Sequence, residues 1–211
     1  MYKFPIIVFE GIEASGKTTS IKQLSKYLAK NKIKFVKIRE PGGSKYSEVI
    51  RKLILNKKSK LNTKTDMLLI LASRSENFEK VIKKYKNKKV ILIDRFTDST
   101  IAYQHYGMGI NLNLIKKLNK FIIGKLKPNL TFLNIVNKNN MRKRMNLRKY
   151  KNKYDNFNFA FYNKVQKGFL KIANNNKKYV ILNSNIMSIS ENKSFIIKNF
   201  NRLVKKYENR K

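Results

Sequence analysis

The stretch Ile6-Ile7-Val8-Phe9-Glu10-Gly11-Ile12-Glu13-Ala14-Ser15-Gly16-Lys17-Thr18-Thr19 decides the fold. Its first four residues are an unbroken apolar run rich in β-branched side chains, as expected of a strand buried on both faces of a parallel sheet. Gly11 to Thr18 then match the pattern Gly-x4-Gly-Lys-[Ser/Thr]. Glycines let the backbone curl so that successive N–H groups converge on a phosphate, and the next helix adds its positive dipole end. Ile21, Leu24 and Leu28 follow at helical spacing, so strand, loop and helix stand in the required order. Lys17 is expected to reach the β- and γ-phosphates of a nucleoside triphosphate, and Thr18 to offer its hydroxyl to Mg²⁺. The loop residues Gly11, Glu13, Ala14, Ser15, Gly16, Lys17, Thr18 and Thr19 form the expected ATP-binding set.

The pattern repeats outward from this unit. Phe35–Ile38, Val90–Ile93, Leu130–Val136 and Tyr179–Leu182 read as further strands, with helical periodicity between them. Alternation of this kind means an α/β fold with a parallel, buried sheet, and ligands in such folds sit at the carboxyl ends of the strands. The 211 residues fit one domain over 1–211, and no linker-like or repeated stretch divides them. Apolar runs such as Met67 to Ala72 fall far short of the ~20 residues of a membrane span. The start, Met1-Tyr2-Lys3-Phe4-Pro5, leads directly into a strand and is expected to leave no room for a signal peptide. With no Cys, disulfides and thiolate metal sites are excluded. A cytoplasmic protein with no membrane partner is expected.

The net charge of +37 needs explaining. Lys outnumbers Arg by 40 to 9 and is spread along the whole chain, where a nucleic-acid domain concentrates its charge on one face. Abundant Asn, Ile, Tyr and Phe share A/T-rich codons with Lys, so the charge reads as compositional drift on a solvated surface, with no nucleic-acid partner expected. Acids are scarce and therefore informative: nine of twelve lie in the first 98 residues.

Asp94-Arg95 ends an apolar strand, so both side chains should emerge beside the phosphate loop. Asp94 can hold Mg²⁺ through water, and Arg95 presents a fork of donors suited to phosphate. Thr100, Tyr103 and Gln104 recur at helical spacing and should share one face. Arg74 stands in an otherwise apolar helix, where it needs a polar partner. A phosphate loop plus an Arg-lined second site describes a kinase of small phosphorylated molecules.

Gly11–Thr19, Arg39-Glu40-Pro41-Gly42-Gly43, Ile50-Arg51-Lys52, Leu71-Ala72-Ser73-Arg74, Asp94-Arg95-Phe96, Asp98–Gln104, Pro128-Asn129-Leu130-Thr131 and Asn152-Lys153-Tyr154-Asp155 stand in the order of these motifs in bacterial thymidylate kinase. The chain resembles that family over about residues 5–185. The resemblance implies phosphorylation of thymidine 5′-monophosphate (dTMP) by Mg·ATP, in dTTP synthesis. It implies a five-stranded parallel sheet flanked by helices, the three-layer architecture of P-loop nucleoside monophosphate kinases, and a homodimer. By the same resemblance Arg95 and Arg51 hold the acceptor phosphate, and Arg74 and Thr100 read the thymine edge with Gln104 nearby. Glu13 would bond the sugar 3′-hydroxyl, Tyr103 would lie under C2′, and the Glu40–Pro41 bond would be cis. Arg142, Arg144 and Arg148 match a basic lid at about 142–156, with Arg144 and Arg148 expected to act in catalysis alongside Lys17 and Arg95.

The chain also departs from the pattern. Ile70 stands where a Phe usually stacks on thymine. Asn152-Lys153 replaces Asp-Arg, Asn129 replaces Asp, and Met108 replaces an Arg of many relatives. The lone His105 is expected at the pocket rim or surface, since this chemistry needs no such base. Asn152-Lys153-Tyr154-Asp155 also fits the guanine-reading string of GTPases, but it does not end an apolar strand. Two alternatives stay open: a kinase for another deoxynucleotide or a nucleoside, and a basic ATP-dependent nucleic-acid-binding protein.

Overall fold

A computed structural model describes residues 4–150 and 152–208. Residues 1–3, 151 and 209–211 lie outside the described residues, and with them the chain's start and one position of the lid segment.

Five parallel strands form one sheet in the order β2-β3-β1-β4-β5. They are β1 (Ile6–Glu10), β2 (Phe35–Arg39), β3 (Val90–Asp94), β4 (Leu130–Ile135) and β5 (Tyr179–Asn183). All five residues of β1 are buried, as the apolar run requires of the central strand. Helices cover both faces: α1 (Lys17–Lys30), α2 (Lys45–Leu55) and α3 (Thr63–Asn77), the last continuing through a π-helical turn into α4 (Lys83–Tyr85). After β3 come α5 (Thr97–Thr100), a π-helical stretch (Ile101–Gly107) and α6 (Leu112–Ile123). The segment expected to form a lid, 142–156, begins inside α7 (Lys138–Asn146) and ends in a 3₁₀ turn (Lys153–Asn156), and α8 (Phe159–Ala173) and α9 (Ile189–Glu208) complete the layers.

One face of the sheet packs Phe9, Leu92, Phe132 and Leu182 against Leu24 and Leu28 of α1 and Phe200 of α9. Opposite, Val8, Ile91 and Ile93 meet Ile82 and Ile123, and a third cluster gathers Tyr103, Tyr162 and Phe169 under the lid. Register sets up the site. Phe9 pairs with Asp94 and Glu10 with Leu133, so the phosphate loop leaves β1 directly beside the end of β3. Strand order reverses at β1, which makes this the crevice where such sheets bind ligands.

The stretch carrying Tyr103 and Gln104 is wound wider than the expected α-helix. Such widened turns occur frequently at functional sites. Here Thr100, Tyr103 and Gln104 still reach one cavity. Gly168 of α8 permits a close approach to the same stretch, because a Cβ there would fall 2.5 Å from the Tyr106 ring.

Candidate active site

Gly11 has φ 137°, and a Cβ on it would lie 2.2 Å from the Asn134 carbonyl oxygen, so only glycine fits where the loop passes β4. Lys17 folds back over this loop and donates to the carbonyls of Gly11 (2.7 Å) and Ile12 (2.8 Å). Burial, with the positive charge of Arg95, lowers its pKa to about 7. Thr18 and Thr19 are exposed at the mouth of the loop.

Arg95 has φ 67°, unusual for a side chain with a Cβ. That conformation turns it back to the loop, where it donates to Gly11 O (3.0 Å) and Glu13 Oε1 (2.7 Å). Its guanidinium lies 5.0 Å from the Tyr103 ring centroid, and the Tyr103 hydroxyl donates to Glu13 Oε2. Burial works against the Arg95 charge, but Tyr103, Glu13 and Asp94 outweigh it and raise its pKa. Burial also pushes the Tyr103 phenol well up. Arg95, Glu13 and Tyr103 thus form one charged, hydrogen-bonded unit joining β3 to the phosphate loop.

The segment after β2 holds a second unit. The Glu40–Pro41 bond is cis, as expected. Arg51 of α2 donates to Pro41 O at 2.6 Å, and burial together with Arg39 lowers its pKa. Arg74 is 1% exposed and has the partners that a buried charge requires. It donates to Glu40 Oε2 (2.7 Å), Asn119 Oδ1 (2.5 Å) and Phe96 O (2.9 Å). Burial raises the Glu40 carboxyl pKa against the pull of Arg74.

Both units line one cavity of about 210 Å³. Glu13, Lys17 and Thr18 come from the loop and its helix, Asp94 and Arg95 from the end of β3, and Glu40, Pro41, Arg51 and Arg74 from the second unit. Thr100, Tyr103 and Gln104 line it as well, with Ile54, Leu55 and Ile70 supplying apolar surface. Thr100 Oγ1 is buried without a hydrogen-bond partner. Arg148, Asn152 and Tyr154 close it from the lid. Gly11, Ala14, Ser15, Gly16 and Thr19 belong to the loop but do not line the cavity. Arg144 does not line it either: its guanidinium grips Ala14 O and Ser184 on the outer side of the loop (3.0 Å each). Arg142 is exposed on α7. His105 lies outside the lining and bonds Ile110 O through Nδ1.

Three departures have local explanations. Asn152 caps the 3₁₀ turn, and its amide donates to Asp155 Oδ2 at 2.7 Å, a bond that an ionised Asp could not make. Lys153 forms an ion pair with Asp66 of α3 at 2.6 Å. Asn129 accepts from Ile6 N–H at 2.8 Å while its amide donates to the Tyr207 hydroxyl. Sequence reasoning missed Asn119, Asp66 and Glu10. Asn119 had a signal, a polar residue at a buried position among the apolar residues of α6, and the two acids had their scarcity.

A family model described as thymidylate kinase matches residues 9–196. The chain belongs to the thymidylate kinase family. It is 36% identical over 201 residues to a thymidylate kinase of Kosmotoga olearia, covering 95% of this chain and 97% of that protein. A thymidylate kinase of a Wolbachia from Brugia malayi is 41% identical over 174 residues, covering 80% of this chain and 81% of that protein. The crystal structure of thymidylate kinase from Ehrlichia chaffeensis superposes with a TM-score of 0.77 at 34% identity, covering 94% of this chain and 99% of that one. The five-stranded parallel sheet flanked by helices is therefore the fold of that family.

Proposed function

We propose that this cavity is the acceptor site where dTMP meets the γ-phosphate of ATP, and that the residues lining it divide the work as follows. The activity is that of the family, ATP + dTMP giving ADP + dTDP. One observation carries the assignment of residues: Lys17, Arg51, Arg74, Arg95 and Arg148 converge on a single cavity that also presents Thr100 and Gln104. Arg95 and Arg51 hold the acceptor phosphate so that one of its oxygens faces the γ-phosphorus. Transfer of this kind depends on alignment and on stabilising charge spread over the phosphoryl oxygens, the role given to Lys17, Arg95 and Arg148. The buried, unpartnered Thr100 hydroxyl and the remaining N–H groups of Arg74 read the base edge, while Glu13 and Tyr103 face the sugar. Arg144, which ties α7 to the phosphate loop, shapes the ATP side.

The residues also fit Mg²⁺. Asp94 Oδ1 is buried without a hydrogen-bond partner, and Thr18 is exposed in the same cavity lining. Thr18 and Asp94 would hold Mg²⁺, which would neutralise negative charge on the triphosphate.

Among the described residues no helix is long and apolar enough to cross a membrane. With nucleotide substrates, the reading carries a cytoplasmic location and a single kinase domain over 1–211. A homodimer goes with it: α2, α3 and α6 pack side by side and leave Val49, Leu53, Leu68 and Phe121 exposed.

A coupled ADP-release assay over a panel of nucleoside monophosphates tests the assignment, comparing the native enzyme with Arg74→Ala and Arg95→Ala. Strong preference for dTMP, with KM for dTMP raised at least tenfold in both variants, is the expected outcome. Equal rates on all monophosphates, or variants with an unchanged KM, would sink it.

A further inference from the structure

Glu10 is the last residue of β1, fully buried, and stands outside the phosphate-loop pattern. Its Oε1 accepts from the backbone N–H groups of Phe96 (2.8 Å) and Ser99 (3.3 Å). Its Oε2 accepts from the Ser99 hydroxyl at 2.5 Å. These donors flank the start of α5, whose own N-cap residue, Phe96, provides no side-chain hydrogen bond. The first N–H groups of a helix have no internal partner and need one from elsewhere. Glu10 meets that need from across 86 residues of chain.

The position matters because of what α5 connects. Arg95 stands just before its N-cap residue, in a left-handed conformation that is strained for a non-glycine residue and must be held by its surroundings. Thr100 ends α5, and Tyr103 and Gln104 follow on the π-helical stretch. Every acceptor-side group on this segment is therefore anchored at its origin by one carboxylate. The charged and titratable groups around Glu10 are Asp98 on α5, Arg95 at the end of β3, and Lys17 on α1; Tyr179 of β5 donates its hydroxyl to Asp98 behind it.

We propose that Glu10 is a positioning residue of the acceptor site: its carboxylate fixes the Phe96–Ser99 turn and through it aims Arg95, Thr100 and Tyr103 into the cavity. The inference rests on the reading of that cavity as the dTMP site. Glu10 touches no substrate itself and acts through the backbone. Burial and the Asp98 charge raise its carboxyl pKa to about 7, opposed by Ser99, Phe96 and Arg95. The anchoring carboxylate is thus lost by protonation as pH falls below neutrality.

The test varies dTMP and ATP separately for the native enzyme and for Glu10→Ala, Glu10→Gln and Arg95→Ala, from pH 5.5 to 8.5. Loss of buried acceptors to charge-assisted bonds predicts KM for dTMP about tenfold higher in Glu10→Ala, with KM for ATP within about twofold of native. Glu10→Gln keeps an acceptor for the two N–H groups and restores most of the dTMP affinity. It also removes a fall in kcat/KM for dTMP below about pH 7, leaving only the titration of the substrate phosphate. If Arg95→Ala raises KM for dTMP and Glu10→Ala does not, the inference about Glu10 fails alone. If neither does, the acceptor-site reading fails with it. Should Glu10→Ala not fold, an acid limb identical in Glu10→Gln and the native enzyme overturns the proposal.

Discussion

At the scale of single residues, the site concentrates buried charge, and two groups of opposite type titrate near neutrality. Burial and Arg95 lower Lys17 from 10.5 to about 7, and burial and Asp98 raise Glu10 from 4.5 to about 7. Between pH 7 and 10.5 the unfolded chain holds the Lys17 proton and the folded chain does not, so this group makes stability rise with pH there. Between pH 4.5 and 7 the folded chain holds the Glu10 proton and the unfolded chain does not, so stability falls as pH rises. Together they place a minimum near pH 7 in the unliganded enzyme, with an upper limb on the order of 5 kcal/mol and a lower one on the order of 3 kcal/mol. Denaturant titrations across pH should show Lys17→Met flattening the upper limb and Glu10→Gln the lower one; a curve unchanged by either substitution would refute the assignment. A bound triphosphate restores the Lys17 charge, so ATP binding near pH 8 should take up close to one proton. Calorimetry in buffers of different ionisation enthalpy reads that number directly, and zero uptake in the native enzyme would exclude it. Ile70 is a different matter: it lines the cavity but supplies no π-face. Stacking is worth roughly 0.5–1.5 kcal/mol beyond area, so Ile70→Phe should lower KM for dTMP about two- to tenfold in steady-state kinetics, and an unchanged or raised KM would refute the stacking argument.

At the scale of elements, one ion pair ties the lid segment to α3 and another braces it internally. Lys153 reaches from the 3₁₀ turn to Asp66 in the first turn of α3, where Asp66 is 2% exposed. Arg148 pairs with Asp155 at 2.5 Å within the lid itself. Removing Lys153 leaves a buried carboxylate without its cation, so Lys153→Met should cost about 2–4 kcal/mol. It should also raise KM for dTMP, because Asn152 and Tyr154 line the cavity from the same turn. Adding Asp66→Asn should recover part of both losses; a double-mutant cycle with no coupling would show the pair to be incidental. The lid illustrates what a sequence can and cannot display. The β1–loop–α1 unit was legible because its residues are contiguous and its glycine spacing is dictated by phosphate geometry. The other four strands were legible from apolar runs alone. The π-helical winding after Thr100 was not, because residues three and four apart stay neighbours when a helix widens. Nor were the partners of Glu10, Asp66 and Asn119, which lie 86 to 89, 87 and 45 residues away in the chain. Single hydrogen bonds across such distances leave no periodicity to read.

At the scale of the whole molecule, the +37 charge acts on substrates and on a second copy of the chain in opposite senses. ATP and dTMP are small polyanions, and a positive surface draws them inward at low salt. Two such chains repel each other, while Val49, Leu53 and Leu68 on α2 and α3 favour association by burial. Raising salt shortens the screening length from about 30 Å at 0.01 M to 8 Å at 0.15 M, and apolar burial is little affected over that range. If the chain forms the homodimer proposed above, salt should therefore weaken substrate capture and strengthen dimerisation together. Sedimentation velocity and steady-state kinetics on the same samples, from 10 to 300 mM salt, distinguish this from the alternatives. The expected result is kcat/KM falling several-fold while the dimer fraction rises. Leu53→Glu should abolish the proposed dimer, because it places a charge on the apolar face and leaves the cavity lining, which Leu53 does not join, intact. A dimer that dissociates as salt rises would mean that ion pairs hold it, and the apolar face of α2 and α3 would then need another explanation.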